Sequence, residues 1–103
     1  MKHKLILGTV QFGLDYGVNN TLGKATPINV KLILDAAFEE GVLLLDSAEG
    51  YGDSHEKIGE YHKKSSNYFQ VITKFSSARL DLPKNIKKRV YKNLKTLNIK
   101  SLY

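Results

Sequence analysis

The sequence predicts an α/β fold in which short parallel strands alternate with helices. Two apolar runs, Val42 to Leu45 and Phe69 to Thr73, end at Asp46 and Lys74, as strands buried in a parallel sheet do. The segments around these runs carry apolar residues at helical spacing and begin with capping residues or proline. The hydrophobic fraction of 42% is that of a globular chain.

The first strand is expected from Lys4 to Gly8 and ends at the Gly8-Thr9 pair. Taken alone, this glycine is most simply an ordinary turn residue. The glycines at 8, 13 and 17 do not fit the Gly-x-Gly-x-x-Gly pattern of a Rossmann dinucleotide site. From Phe12 to Lys24 the chain is rich in glycine and asparagine, which predicts a loop.

Thr26 and Pro27 predict the start of the first long helix, with threonine as the N-cap and proline in the first turn. Gly41 ends that helix. Its inward stripe is expected to contain Val30, Ile33, Leu34, Ala37 and Phe38.

The next strand ends in Asp46, and Asp53-Ser54 can cap a helix that runs to about Lys63. Ile58 and Tyr61 are expected to face inward on that helix. His55 and His62 lie seven residues apart, not at the spacing of a helical metal pair, so no metal site is predicted. We expect both histidines to be exposed, and His3 to lie on the surface near the terminus.

A polar loop from Lys63 to Asn67 precedes the third strand, which ends at Lys74, and a further loop runs from Ser76 to Pro83. Pro83 then predicts the start of a helix. Ser101 to Tyr103 are expected to begin a fourth strand. The buried stripe of the last helix is expected to contain Ile86, Val90, Leu94 and Leu97.

The strand ends suggest acid-base chemistry. A tyrosine, with a reference pKa of about 10, can act as a general acid when a nearby ammonium lowers that pKa. Asp46 and Lys74 are expected to close adjacent strands, with Tyr51 above them on the intervening loop. Individually they could be a turn aspartate, a loop lysine and a rim aromatic. Their joint spacing favours a catalytic interpretation.

The stretch Gly41 to Gly59 has the pattern Gly-x4-Asp-Ser-Ala-x2-Tyr-Gly-x-Ser-x3-Ile-Gly and is followed by a strand ending in Thr-Lys. This pattern resembles the N-terminal part of the aldo-keto reductases. The opening segments Leu7 to Gly13 and Tyr16 to Asn19 are also similar to one branch of that family. The resemblance implies a (β/α)8 TIM barrel, which takes roughly 250 residues. Residues 1–103 would then be an incomplete domain, with the first three βα units and the start of strand four.

The resemblance also implies residue roles. The family's catalytic aspartate, tyrosine and lysine map onto Asp46, Tyr51 and Lys74, and its first cofactor contacts map onto Gly8, Thr9 and Asp46. The cofactor would be NADP or NAD, and the substrate a small carbonyl compound. The family's usual glutamate after the serine is here His55.

In the family, the end of strand four carries a histidine, and the C-terminal half holds most of the residues that bind the cofactor's phosphate and adenine groups. By this resemblance, both lie outside residues 1–103. We therefore expect the chain alone to be inactive and to expose apolar surface, which predicts poor solubility, a loose state or association with a complementary C-terminal half.

Composition adds a second hypothesis. The net charge is +6, and the segment from Pro83 to Tyr103 holds seven lysine or arginine residues and no acidic residue. A small α/β binding module could use this basic helix on an acidic partner. A solvated helix face explains the charge more simply, and we predict neither nucleic-acid nor membrane binding.

The lack of cysteine, of a signal peptide and of a long apolar stretch predicts a cytoplasmic protein.

Overall fold

The computed structural model describes residues 4–17, 22–76 and 83–103. They form a parallel sheet with the strand order β1-β2-β3, which confirms the α/β prediction. The strands are β1 (Leu7–Gly8), β2 (Leu44–Asp46) and β3 (Gln70–Ile72), and the helices are α1 (Val10–Gly13), α2 (Pro27–Glu39), α3 (Ser54–Lys64) and α4 (Pro83–Leu97).

The register of the sheet separates a core face from a second face. Leu45 of β2 pairs with Leu7 on one side and Val71 on the other, and Leu45 and Val71 are fully buried. The following row contains Gly8, Asp46 and Ile72. Because successive side chains of a strand point to opposite faces, Asp46 lies on the face opposite the helix-covered core. That core contains Phe12, Val30, Leu34, Leu45, Ile58, Tyr61, Phe69, Val71 and Leu97.

The start and the end of α2 follow the predicted local chemistry. The Thr26 hydroxyl accepts a hydrogen bond from the Asn29 amide at 3.2 Å, and Pro27 occupies the first turn. Gly41 follows the helix with a φ of 82°, a left-handed conformation that glycine adopts at little cost. At the start of α3, Asp53 makes no capping bond from its side chain, which instead pairs with Lys24 at 2.9 Å.

Some element boundaries differ from the prediction. β1 covers only Leu7–Gly8, and α1 adds a helical turn that reaches into the predicted loop from Phe12 onward. Ser101 to Tyr103 do not form a regular strand, but the Tyr103 amide donates to the Val71 carbonyl at 2.9 Å. The chain therefore continues alongside β3, where a fourth strand would begin.

Three apolar residues predicted to be buried are partly exposed. Leu43 is 42% exposed, Ile33 of α2 is 39% exposed and Ile86 of α4 is 38% exposed. Since the second face of the sheet and the outer flanks of these helices have no covering layer among the described residues, apolar side chains there stay in contact with solvent. The expected exposure of apolar surface is therefore present, and it extends to Leu5 and Ile6.

The prediction that the α3 histidines are exposed is wrong. His55 is 6% exposed and His62 is 1% exposed. Together with Ile58 they follow an i, i+3, i+7 pattern, which puts all three on the inward face of the helix. His62 lies within 2.8 Å of the Leu97 carbonyl and accepts from the Phe69 amide at 3.1 Å, so both ring nitrogens are satisfied inside the protein.

Some predictions lie outside the described residues. These are the surface position of His3, the middle of the first loop at 18–21, and the loop at 77–82. None of the helices in the described ranges has the length and apolarity needed to cross a membrane.

Candidate active site

The structure brings Asp46, Tyr51 and Lys74 together at the carboxyl ends of the strands. Asp46 is the last residue of β2, and Lys74 follows the end of β3 by two residues. The Lys74 Nζ donates to the Asp46 Oδ1 at 2.9 Å and lies 5.3 Å from the centre of the Tyr51 ring. The geometric arrangement inferred from the sequence is thus present, while the catalytic roles remain predictions.

The ion pair between Lys74 and Asp46 is open to solvent, since the two side chains are 47% and 39% exposed. Partial burial lowers the pKa of Lys74, but the hydrogen bond and charge of Asp46, with a contribution from Tyr51, outweigh it and hold that pKa above its ordinary value. Lys74 is therefore a fixed cation at neutral pH. A fixed cation beside a phenol can stabilise negative charge that develops on the phenol oxygen.

The loop that carries Tyr51 is held by a close approach of two glycine backbones. A Cβ at Gly13 would lie 1.6 Å from the Tyr51 carbonyl oxygen, and a Cβ at Gly52 would lie 2.1 Å from the Gly13 carbonyl oxygen. Gly52 also has a φ of 56°, in the left-handed region. The end of α1 therefore packs directly on the backbone of the Tyr51 loop, which only residues without a side chain allow.

A buried cluster of hydroxyl groups supports the Asp46 strand end. The Thr9 hydroxyl donates to the Asp46 carbonyl at 2.9 Å, and the Thr9 amide donates to the same oxygen at 3.0 Å. The Ser54 Oγ lies 3.0 Å from the Thr9 Oγ1 and 3.2 Å from the Ser47 Oγ. All three hydroxyl residues are fully buried. Thr9 therefore holds the Asp46 backbone in place, and the Thr9 side chain is turned into the protein.

Gly8, predicted as a cofactor contact, lies beside Asp46 in the sheet and is exposed. A Cβ built at Gly8 would meet no atom within 4 Å, so the space over this part of the strand edge is open. A planar ring could approach the backbone here, and the residues present thus fit the predicted nicotinamide position.

Glu49 is a residue of this site that the sequence analysis missed. Its carboxylate accepts from the Ser76 amide at 2.9 Å and from the Asn93 side chain at 2.9 Å, and it is paired with Arg89. The available signal was Arg89 itself, the sole arginine among the basic residues of the last helix, because arginine is favoured in buried pairs with carboxylates.

Two further supports were also missed. The Lys57 ammonium donates to the carbonyls of Phe12 and Ala25, both at 2.7 Å, which ties the first loop to α3. His55, at the position where the family has glutamate, lies with its Nε2 2.7 Å from the Thr73 hydroxyl, beside Lys74. Burial lowers the pKa of His55, although nearby Glu56 and Glu49 act in the opposite direction.

The described residues contain no group of three or more histidine, cysteine or acidic side chains that could hold a metal ion. A polar cleft of 290 Å³ lies between the start of α3 and α4, lined by Glu49, His55, Arg89 and Lys92 among others. Asp46, Tyr51 and Lys74 do not line this cleft. With their side chains 39% and 47% exposed, Asp46 and Lys74 lie on a rim that is open to solvent.

The sequence profile of the aldo/keto reductase family matches residues 4–102. The chain therefore belongs to the aldo/keto reductase family, and its three-stranded sheet matches the start of the TIM barrel of such proteins. Members of this family generally use NAD(P)H as the cofactor. No curated protein matches the chain at a significant level.

Solved structures are similar over nearly the whole chain. A crystal structure described as an aldo-keto reductase from Pseudomonas aeruginosa is 27% identical, with a TM-score of 0.74, over 94% of this chain and 39% of that one. A second structure with that description and from that organism is 24% identical, with a TM-score of 0.70, over 94% and 38%. The holo form of an aldo-keto reductase from Bacillus halodurans is 18% identical, with a TM-score of 0.65, over 95% and 33%. The chain thus spans about two fifths or less of these relatives.

Proposed function

We propose that the protein to which this chain belongs is an oxidoreductase that reduces a carbonyl compound with NAD(P)H. The observation that carries the proposal is the contact of Lys74 with both Asp46 and the Tyr51 ring at the carboxyl ends of adjacent parallel strands. In a barrel of this type, the end of the barrel formed by the carboxyl ends of the strands carries the active site.

In the proposed mechanism, Tyr51 donates its hydroxyl proton to the carbonyl oxygen of the substrate. Lys74 remains protonated and stabilises the negative charge that develops on the phenol oxygen during the transfer. Asp46 keeps the lysine in position through the 2.9 Å hydrogen bond. In the reverse direction, the same three residues would accept a proton from an alcohol.

When bound, a reduced nicotinamide cofactor would supply the hydride. Gly8 and Asp46 would form the nearby floor of its site, because the space above Gly8 is open and the Asp46 side chain lies on the same face. Thr9 would contribute by fixing Asp46, since its hydroxyl bonds to the Asp46 carbonyl. The choice between NADP and NAD, the particular carbonyl substrate and a cytoplasmic location are still only predictions.

The proposal includes a requirement for more polypeptide than this chain provides. The chain spans 39% of the Pseudomonas relative, and apolar residues such as Leu5 and Leu43 stand exposed on and beside the sheet. A complementary C-terminal segment, in the same polypeptide or as a partner, would cover this surface. The 103-residue chain alone is accordingly expected to be inactive.

The test is turnover by the protein at its natural full length, with NADPH or NADH and a panel of aldehydes, followed by absorbance at 340 nm. Tyr51→Phe removes only the hydroxyl and should lower kcat by about 10²- to 10⁴-fold, as the loss of a general acid does. Tyr91→Phe, at a tyrosine of α4 that is 61% exposed, serves as the control and should retain activity. Full activity of Tyr51→Phe would refute the proposed role of the phenol.

The hypothesis of a binding module on the basic helix makes a different prediction. Lys87, Lys88, Lys92 and Lys95 are exposed on α4, whereas Arg89 is occupied by Glu49. A module of that kind would show salt-sensitive binding of nucleic acid or anionic vesicles. A reductase need show none, and a titration of labelled DNA at low and high salt separates the two hypotheses.

A further inference from the structure

We infer that Glu49 is a positioning residue which locks the Tyr51 loop to the segment that carries Lys74. The inference rests on the proposed reductase function, and it adds a residue to which the reductase mechanism above gives no role. Glu49 lies two positions before Tyr51, and its bonds reach the backbone at Lys74 and at Ser76.

Two hydrogen bonds of Glu49 join the Tyr51 loop directly to the segment that follows β3. The Glu49 amide donates to the Lys74 carbonyl at 3.0 Å, and the Glu49 Oε1 accepts from the Ser76 amide at 2.9 Å. One residue therefore holds the chain at Lys74 itself and again two residues later. Separation of the Glu49 backbone from the Lys74 segment would break these bonds.

A second set of bonds attaches the same carboxylate to α4. Arg89 donates from Nη2 to Oε1 and from Nε to Oε2 at 3.4 Å, and the Asn93 amide group donates to Oε2 at 2.9 Å. The side chains of Glu49 and Arg89 are only 16% and 13% exposed. Because a largely buried ion pair with further hydrogen bonds is costly to break, this attachment should resist movement.

Arg89 also reaches the Lys74 segment from the other direction. Its guanidinium carbon lies 4.8 Å from the centre of the Phe75 ring, and Phe75 directly follows Lys74. Both oxygens of Glu49 are engaged by protein donors, so Glu49 acts through Tyr51 and Lys74 rather than on the substrate. We define Glu49, Ser76, Arg89 and Asn93 as the glutamate clasp.

The experiment compares Glu49→Gln with the unmodified protein at its natural full length. Glutamine keeps the size of the side chain but removes the charge that Arg89 needs, and its amide group faces the donors of the clasp. The NADPH-dependent reduction of an aldehyde should show kcat lowered by about tenfold, with KM within about twofold, since misplacement of catalytic groups affects the chemical step. The kcat of Arg89→Lys should lie between that of the unmodified protein and that of Arg89→Met.

Two controls separate positioning from a general loss of stability. Glu60→Gln removes a carboxylate from an exposed ion pair with Lys64 on α3 and should leave kcat unchanged. Leu97→Val weakens the buried packing of α4 without touching the clasp, and it should lower the melting temperature but not kcat at temperatures where the protein is folded.

An NMR measurement reads the geometry without depending on turnover. The unmodified protein should show a nuclear Overhauser contact between the Tyr51 ring and the Lys74 side chain, together with slow exchange of the Ser76 amide. In Glu49→Gln the contact should weaken, and the amide should exchange on the order of tenfold faster.

The outcomes distinguish the two proposals. Turnover that depends on Tyr51 but is unaffected by Glu49→Gln would overturn the clasp and leave the reductase function intact. Absence of carbonyl reduction by the unmodified protein would refute the reductase function. The NMR contact would then be the only test of the positioning role of Glu49. Its loss in Glu49→Gln supports the positioning role, and its retention in the folded variant overturns it.

Discussion

Two ion pairs near the same loop have opposite environments. Lys74 and Asp46 pair at 2.9 Å with side chains 47% and 39% exposed, whereas Arg89 and Glu49 pair with side chains only 13% and 16% exposed. The exposed pair faces the open rim. The less exposed pair includes Glu49, two residues before Tyr51, and the Glu49 carboxylate also accepts from the Ser76 amide.

The difference in exposure suggests different roles for the two ion pairs. A solvent-exposed ion pair contributes little to stability, about 0–1 kcal/mol, so the Lys74–Asp46 pair is explained poorly by folding alone. A buried pair with additional hydrogen bonds is costly to break and holds neighbouring segments in place. In the proposed function, Asp46, Tyr51 and Lys74 would form a reactive rim, and the glutamate clasp would fix its geometry.

The largest expected effect comes from removing the cation of the rim. Lys74→Met should lower kcat/KM of the full-length protein by about 10³-fold, because the developing charge on the phenol would lose its stabilisation. The melting temperature should change little, since the pair is exposed. Lys31→Met, in an exposed ion pair with Asp35, is the matched control and should leave kcat/KM unchanged. Comparable kcat/KM values for the Lys74 and Lys31 variants would contradict the proposed role of the Lys74 ammonium.

The next effect tests the support at its tightest point. Gly13→Ala should destabilise the protein by about 3 kcal/mol or prevent folding, because the added Cβ would lie 1.6 Å from the Tyr51 carbonyl oxygen. Gly50→Ala is the control, since a Cβ there would meet nothing within 4 Å. Chemical denaturation with a circular dichroism readout measures both. Equal stability of the two variants would mean that the glycine contact is not tight in solution.

A smaller effect is expected from the buried hydroxyl groups under Asp46. Thr9→Val keeps the shape of the side chain but leaves the Ser54 hydroxyl and the Asp46 carbonyl with one partner fewer, at a cost of about 1–2 kcal/mol. Thr9→Ser retains the hydroxyl and should recover part of that loss. Urea midpoints of the three proteins give the measurement. A valine variant as stable as the unmodified protein would show that the hydroxyl contributes nothing.

The smallest effect should be a dependence of stability on pH. Burial lowers the pKa of His62, and the hydrogen bond with the Leu97 carbonyl opposes this only in part. A histidine with a lowered pKa in the folded state stabilises the fold above its unfolded value of about 6.5, and this stability is lost as the pH falls from there through the folded pKa.

The sign follows because the unfolded chain binds the proton first. Urea unfolding at pH 7.5, 6.5 and 5.5 should show a progressive decrease in the free energy of unfolding. His62→Gln, which keeps a donor and an acceptor but does not titrate, should show a shallower decrease. The same slope in both proteins would mean that other groups, such as His55, carry the effect.

Local signals predicted the elements well where one residue type has one physical role. Thr26 and Pro27 start α2, Gly41 follows its end, and the apolar runs end at Asp46 and near Lys74 as predicted. Burial was predicted less well. The leucine at 43 lacks a covering layer, and the histidines at 55 and 62 are polar residues satisfied by partners distant in the sequence.

The sequence alone determined the alternation of strands and helices and the positions along the chain of Asp46, Tyr51 and Lys74, because caps, periodicity and strand ends are properties of neighbouring residues. The tertiary structure decided that these three side chains meet and that Glu49 and Gly13 support them. Those contacts join segments many residues apart, and their strength depends on distance, burial and the exclusion of water, which no local pattern encodes.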